Sequence, residues 1–275
     1  MSQILALISA ALFGVADFAG GLASRTISAW RVLAWSQLLG LPLLIIALAT
    51  ISKADFTAHD LAFGAIAGLF GLVGLALLYS ALAAGTMSIV SPIVGVVSAS
   101  IPVIWGITGG ETLTAGQWVG IVAAIVAVVL IAGHRSHTRP PTSILLQALG
   151  AAVAFAVFFI AMDQTSPESG LWPLAAARAV TLPVGFAVAG ITASVAIPPR
   201  SVLPHVTFAG VADIGANMAV LIAIQLGSLA VTTVLAGLYP VFTVIAAIII
   251  LREKPTLRQS IGIGLAVAAG AILTL

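Results

Sequence analysis

Charge and cysteine are what this sequence of 275 residues has least of. It contains no cysteine, which excludes disulfides, thiolate metal sites and cysteine nucleophiles. Only 7% of its residues are charged, against about a quarter in a soluble domain, so they cannot cover a water-facing surface. The few charges sit mostly at helix ends, and no nucleic-acid partner is expected. Histidine is nearly as scarce. His59, His134, His137 and His205 all fall at or beyond predicted helix ends, where none can relay a proton at mid-membrane. Neither Gly-x-Ser-x-Gly nor His-Glu-x-x-His occurs. An intramembrane enzyme would have no nucleophile or metal at depth, so no catalytic residue, metal or cofactor is expected. The longest polar stretch, His134 to Thr142, is only a linker.

What the chain has in quantity is apolar sequence: 61% of residues are hydrophobic and the mean hydropathy is +1.24. A spanning helix needs about 20 apolar residues. Breaks at charges, Gly and Pro predict ten such helices, over 3–23, 29–50, 59–83, 86–107, 114–133, 143–163, 169–193, 203–226, 230–251 and 256–275. The expected class is an all-α integral membrane protein. The first run begins at Ile4 without a basic leader or a small-residue cleavage site, so it is expected to be a mature helix. Pro42, Pro92, Pro102, Pro183 and Pro240 lie inside these helices, where each removes a hydrogen bond and favours a kink.

The chain is written twice. Moved on by 142, Phe13 falls on Phe155, Trp30 on Trp172, Gly68 on Gly210, Gly85 on Gly227, Glu111 on Glu253 and Gln117 on Gln259. An internal repeat is a strong fold signal. It divides the chain into a five-helix repeat over 1–133, a linker over 134–142 and a second five-helix repeat over 143–275. Five is odd, so the second copy enters the bilayer inverted. Inverted repeats with a substrate site near the midplane between them are a recurrent design of secondary transporters.

Eight basic residues follow the odd-numbered helices: Arg25, Arg31, Arg135, Arg139, Arg200, Arg252, Lys254 and Arg258. Lys53 alone follows an even one. The positive-inside rule then puts both termini outside. Thr114-x-x-Gln117 and Thr256-x-x-Gln259 read as capping boxes. Glu111 and Glu253, just before them, are expected to tie down the turn between two helices. Trp30 and Trp172 read as interface anchors.

A polar group at membrane depth is costly and is therefore a site candidate. Those present are Asp17 in helix one, Gln37 in helix two, Tyr79 in helix three, Arg178 in helix seven, Asp213 and Asn217 in helix eight and Tyr239 in helix nine. Asp213 and Asn217 stand four apart and share a helix face. The two copies do not share these residues: Asp17 falls on Phe159, Ser36 on Arg178, Gly71 on Asp213 and Leu75 on Asn217. A common scaffold with polar groups in one copy only suits an asymmetric ligand between the halves. The alternative is that Arg178 and Asp213 neutralise each other as a structural pair. Serines and threonines in these helices are expected to bond the carbonyl a turn earlier.

The doubled run of Glu-x-x-Thr-x-x-Gln-x-x-Gly, Glu111 to Gly120 and again Glu253 to Gly262, is followed each time by an Ala/Val/Ile-rich helix. With the opening Ala11-Leu12-Phe13-Gly14, it resembles the EamA domains of the drug/metabolite transporter superfamily. That resemblance implies a basket of ten helices in two inverted halves around a central cavity. It also implies export or exchange of amino acids, nucleosides or toxic organic compounds, commonly driven by the proton gradient, and termini in the cytoplasm. This chain lacks the Arg often met in helix two of that family, and Arg178 fills the comparable place in the second copy.

The expected function is a multi-pass secondary transporter of the cell (plasma or inner) membrane working by alternating access. Its partners are a small-molecule substrate, with amino-acid-like solutes favoured, the lipid bilayer, and protons as coupling ions for export. Asp17, which is not the candidate partner of Arg178, is the better proton carrier. The alternatives are an uncoupled facilitator, or a non-transporting scaffold or channel subunit.

Overall fold

The computed structural model describes residues 1–51, 55–83, 87–132, 141–192, 195–252 and 255–274. The helices are α1 (Ser2–Ser24), α2 (Ala29–Thr50), α3 (Ala58–Ala83), α4 (Met87–Thr108), α5 (Ala115–Ala132), α6 (Thr142–Asp163), α7 (Trp172–Ile191), α8 (Leu203–Leu226), α9 (Leu229–Ala236), α10 (Tyr239–Leu251) and α11 (Leu257–Thr274). Residues 133–140 of the linker, Gly85, Glu253 and Lys254, Lys53, and the side chain of Ser88 lie outside the described residues.

Among the described residues nine segments are long and apolar enough to cross a bilayer, α9 with α10 counting as one, and α5 is a shorter apolar helix. The chain is a multi-pass membrane protein. Its burial is the reverse of a soluble bundle. Ile45, Ile46, Ile104, Trp105, Val122 and Val129 lie on the outside, whereas Asp17, Gln37, Ser91, Ser98, Arg178 and Asn217 are buried. Lipid imposes this, because an apolar side chain gains nothing by leaving it and a polar one loses heavily by entering it. Many of the hydroxyls are satisfied locally, as the helical backbone allows, though Ser9, Ser24 and Ser91 Oγ have no partner among the described residues. Ser36 donates to the Leu33 carbonyl at 3.0 Å, Ser100 to Val96 at 2.7 Å and Thr233 to Leu229 at 2.8 Å.

One predicted span stands but is interrupted. The segment 230–251 is not continuous: α9 stops at Ala236 and α10 starts at Tyr239, with Gly237 and Leu238 between them. Pro240, in the first turn of α10, has no N–H to return to the Ala236 carbonyl, and Gly237 three residues before it offers no side chain to hold the turn. The first copy has Gly95 and Ser98 at these positions, and α4 runs through them. Pro42, Pro92, Pro102 and Pro183 are all carried inside continuous helices. A second difference is smaller. The seventh helix begins at Trp172 rather than 169, because Pro167–Ser169 forms a separate 3-10 turn that Gly170 closes at φ 54°.

The copies pack on each other more than on themselves, and exchanging them maps the packing onto itself. α1 lies on α8 as α6 lies on α3, α2 on α8 as α7 on α3, and α4 on α6 as α10 on α1. α5 and α11 pair directly. The correspondence reaches single residues. A Cβ at Gly120 would strike Leu273, and one at Gly262 would strike Ile131, the same contact with the copies exchanged. Close approach is also needed where α2 crosses α8, since a Cβ on Gly210 would meet the Ser36 main chain. Small residues allow helices to approach in this way, and close packing is what holds them in lipid.

The loops fasten one copy to the other. The Glu111 carboxylate accepts from Ser228 Oγ at 2.8 Å and from the Leu229 and Ala230 amides at 2.9 and 3.2 Å, so it caps α9 of the opposite copy. Both capping boxes form: the Thr114 and Thr256 amides donate to Gln117 and Gln259 at 2.8 and 2.9 Å, and those glutamine amides donate back to the threonine hydroxyls. Asp60, which the sequence reading passed over, is 1% exposed. It accepts from Thr57 and, at 2.7 Å, from the Ser166 amide that leads to α7. Thr57-x-x-Asp60 was a legible capping signal. Arg31, one of the eight basic residues of the charge count, donates to the main-chain carbonyls of Ala196 and Ile197. Replacing Glu111 by alanine leaves three orphan donors at the head of α9 and should cost about 1–2 kcal/mol. Faster amide exchange at Leu229 and Ala230, with the α4 amides unchanged, would be its signature.

Candidate functional site

Six of the seven candidate residues come to one place. A cavity of about 770 Å³, counting the part open to the outside, lies between the two copies. Its wall includes Asp17 of α1, Gln37 of α2, Arg178 of α7, Asp213 and Asn217 of α8, and Tyr239 of α10. They meet because α1 packs on α8 and α10, and α2 on α7 and α8. The seventh, Tyr79, stands behind the wall. It is 1% exposed, with its ring against Gly20 of α1 where a side chain would collide with it, and it does not line the cavity.

The charged groups are arranged unequally. Arg178 Nη2 donates to Asp213 Oδ2 at 2.8 Å, and this is the one ion pair among the described residues. Asn217, one turn beyond, donates from Nδ2 to the Asp213 main-chain carbonyl at 2.7 Å. Arg178 Nε is buried and has no partner among the described residues. Asp17 is 6% exposed and makes no hydrogen bond among the described residues. The charged group acting on it is Asp213, and the phenols of Tyr79 and Tyr239 lie within reach of its field. Arg178 and Asp213 therefore hold one another, while Asp17 is left facing open space.

The neutral polar groups tie helices across the copies. Gln37 Oε1 accepts from the Thr181 hydroxyl at 3.2 Å, joining α2 to α7. The Tyr239 hydroxyl donates to the Ser91 carbonyl at 3.2 Å, joining α10 to α4 just beyond the break. Thr243 Oγ1 donates to the Gly14 carbonyl at 3.1 Å, joining α10 to α1. Among the described residues no three His, Cys, Asp or Glu side chains gather as metal ligands would.

Part of the lining is what sequence reasoning missed. Phe155, Phe158 and Phe159 of α6, with Leu72 and Leu75 of α3, line the same cavity as the polar groups. Phe158 and Phe159 pack edge to face at 5.4 Å. The signal for them was in the repeat. Phe159 is the partner of Asp17, Gly71 of Asp213, Leu75 of Asn217 and Phe155 of Phe13, and all eight line the cavity. A site on the axis relating two copies must be built from equivalent positions of both. At three of these four pairs a carboxylate or amide of one copy answers an apolar residue or glycine of the other, so the lining is both polar and aromatic.

Two stretches of the chain, residues 1–133 and 142–275, match the model of the EamA-like transporter family. A solved structure described only as "Crystal structure of protein" superposes with a TM-score of 0.79 at 18% identity. The match covers 99% of this chain and 96% of that one, and at such identity it shows a shared fold. No curated protein matches the chain.

Proposed function

Because this chain belongs to the EamA-like transporter family, we propose that it is a secondary transporter working by alternating access, its two five-helix repeats inverted in the bilayer. It exports small metabolites or toxic organic compounds, amino-acid-like solutes among them, from the cell (plasma or inner) membrane in exchange for protons. The observation that carries this reading is the cavity between the copies, into which the costly polar groups of six helical positions converge. A cavity at the junction of two packed halves is where rocking of one half against the other exposes a solute to either side. The break between α9 and α10, whose Ala236 and Gly237 line the cavity, gives the second half a place to bend.

Proton coupling rests on Asp17. A structural carboxylate at this depth needs hydrogen bonds to offset its burial, and Asp17 has none among the described residues. A group that alternates between neutral and charged forms is better left without fixed partners. The charged group acting on it is Asp213 of α8, itself paired with Arg178 of α7, and its own field reaches the phenols of α3 and α10.

The test is transport into proteoliposomes loaded with a pH-sensitive dye, under an imposed pH gradient, with amino acids, nucleosides and organic cations as solutes. Saturable flux accompanied by proton movement is the expected result. Saturable flux without proton movement would make the protein an uncoupled facilitator. Absence of flux for every solute would defeat the transporter reading itself.

A further inference from the structure

From the unpartnered Asp17 and the aromatic lining of the cavity we infer that its preferred solute is an organic monocation, an ammonium group on an apolar or aromatic body. The inference rests on the transport reading and narrows it. The lining holds three ionisable side chains: Asp17, Arg178 and Asp213. Arg178 and Asp213 hold one another in their 2.8 Å pair. One carboxyl, that of Asp17, is left without an ionic partner among the described residues. A cation supplies the missing partner, and in a low-dielectric cavity that pairing is far stronger than in water.

The body of the solute is set by the apolar part of the lining. Phe155, Phe158 and Phe159 line the cavity together with Asp17, and nothing polar on α3 or α6 among the lining residues competes for the solute there. Aromatic rings attract an ammonium group through their electron-rich faces and bury an apolar or aromatic body. A zwitterion fits less well. Its carboxylate would meet Asp17 and Asp213, and would have to share Arg178, whose Nη2 is already held by Asp213 and whose buried Nε is a donor left over. A cation entering and a proton leaving Asp17 also keep the cavity's charge constant, so the same site accounts for one-for-one exchange.

The experiment compares three solutes in proteoliposomes of the intact protein: trimethyl(2-phenylethyl)ammonium, tetramethylammonium and phenylalanine. The first and last share ring and chain length; they differ in the carboxylate and in the methylation of the nitrogen. Saturable flux of the aryl ammonium, with little or none of phenylalanine, is expected. Asp17→Asn should abolish saturable flux of both cations in protein that remains monodisperse. Phe158→Ala should raise KM for the aryl ammonium by about 5- to 30-fold while leaving tetramethylammonium unchanged. The second variant keeps a readout if the first fails to fold. Phenylalanine carried as well as the ammonium, or cation flux indifferent to both substitutions, would overturn the inference. Flux of an uncharged or zwitterionic solute alone would overturn it and leave the transporter reading standing. No flux of any solute, the wider panel included, would defeat both.

Discussion

Replacing Arg178 by alanine is expected to destabilise the protein by about 3–5 kcal/mol, since it leaves the Asp213 carboxylate buried without its countercharge. The two side chains are 8% and 14% exposed and joined at 2.8 Å, so water can replace little of what is lost. The abandoned charge would also stand near Asp17, and two carboxylates facing one cavity repel. Removing both partners should cost much less than the two single losses together, because a neutral pair of side chains leaves no buried charge. Unfolding of Arg178→Ala, Asp213→Ala and the double variant by denaturant titration in micelles gives the coupling directly. If the single variants were as stable as the parent, the pair would be free to exchange partners with a solute, and the case for a zwitterion would revive.

Asp17→Asn is the second. It should reduce solute-driven proton movement to the leak rate of empty liposomes. Asparagine keeps the shape and the hydrogen-bonding capacity of the side chain but has no proton to give up between neutral and charged forms. Because Asp17 makes no hydrogen bond among the described residues, the substitution breaks nothing and should leave the unfolding midpoint unchanged or raised. Loss of coupling with intact stability separates a carrier from a structural residue, which a simple loss of activity cannot do. Proton movement persisting in Asp17→Asn would transfer the role to Asp213, the other carboxylate of the cavity.

Both variants act on residues that the sequence alone brought forward, and for one reason. Ionisable groups in apolar runs are so expensive that their mere presence marks them. The same logic failed for Tyr79. A phenol is amphipathic enough to be buried among helices, and its ring fills the space beside Gly20 instead of facing the cavity. It failed in the other direction for Phe155, Phe158 and Phe159. Apolar residues in an apolar helix carry no mark, and only their pairing with Asp17 and its neighbours across the repeat shows where they stand.

The sequence by itself determined that this is a membrane protein of many spans in two copies, with most helix ends falling within a residue or two of where they stand. Hydropathy, Gly and Pro, and the capping boxes are local quantities, and the length needed to cross a bilayer fixes the rest. It also pointed to Glu111 as an anchor of the turn between two helices, though not to the head of α9 in the other copy, which is what Glu111 holds. The tertiary structure alone decided three things. Arg178 is held by Asp213 while Asp17 is not; the segment from 229 to 251 breaks at Gly237; and three phenylalanines of α6 line the cavity with the charged groups. Each depends on which helix of one copy lies against which helix of the other. Helices in lipid associate through close fit of small residues and a few hydrogen bonds, not through a hydrophobic pattern that can be read along the chain. Who pairs with whom at the centre is therefore settled only when the two copies are packed together.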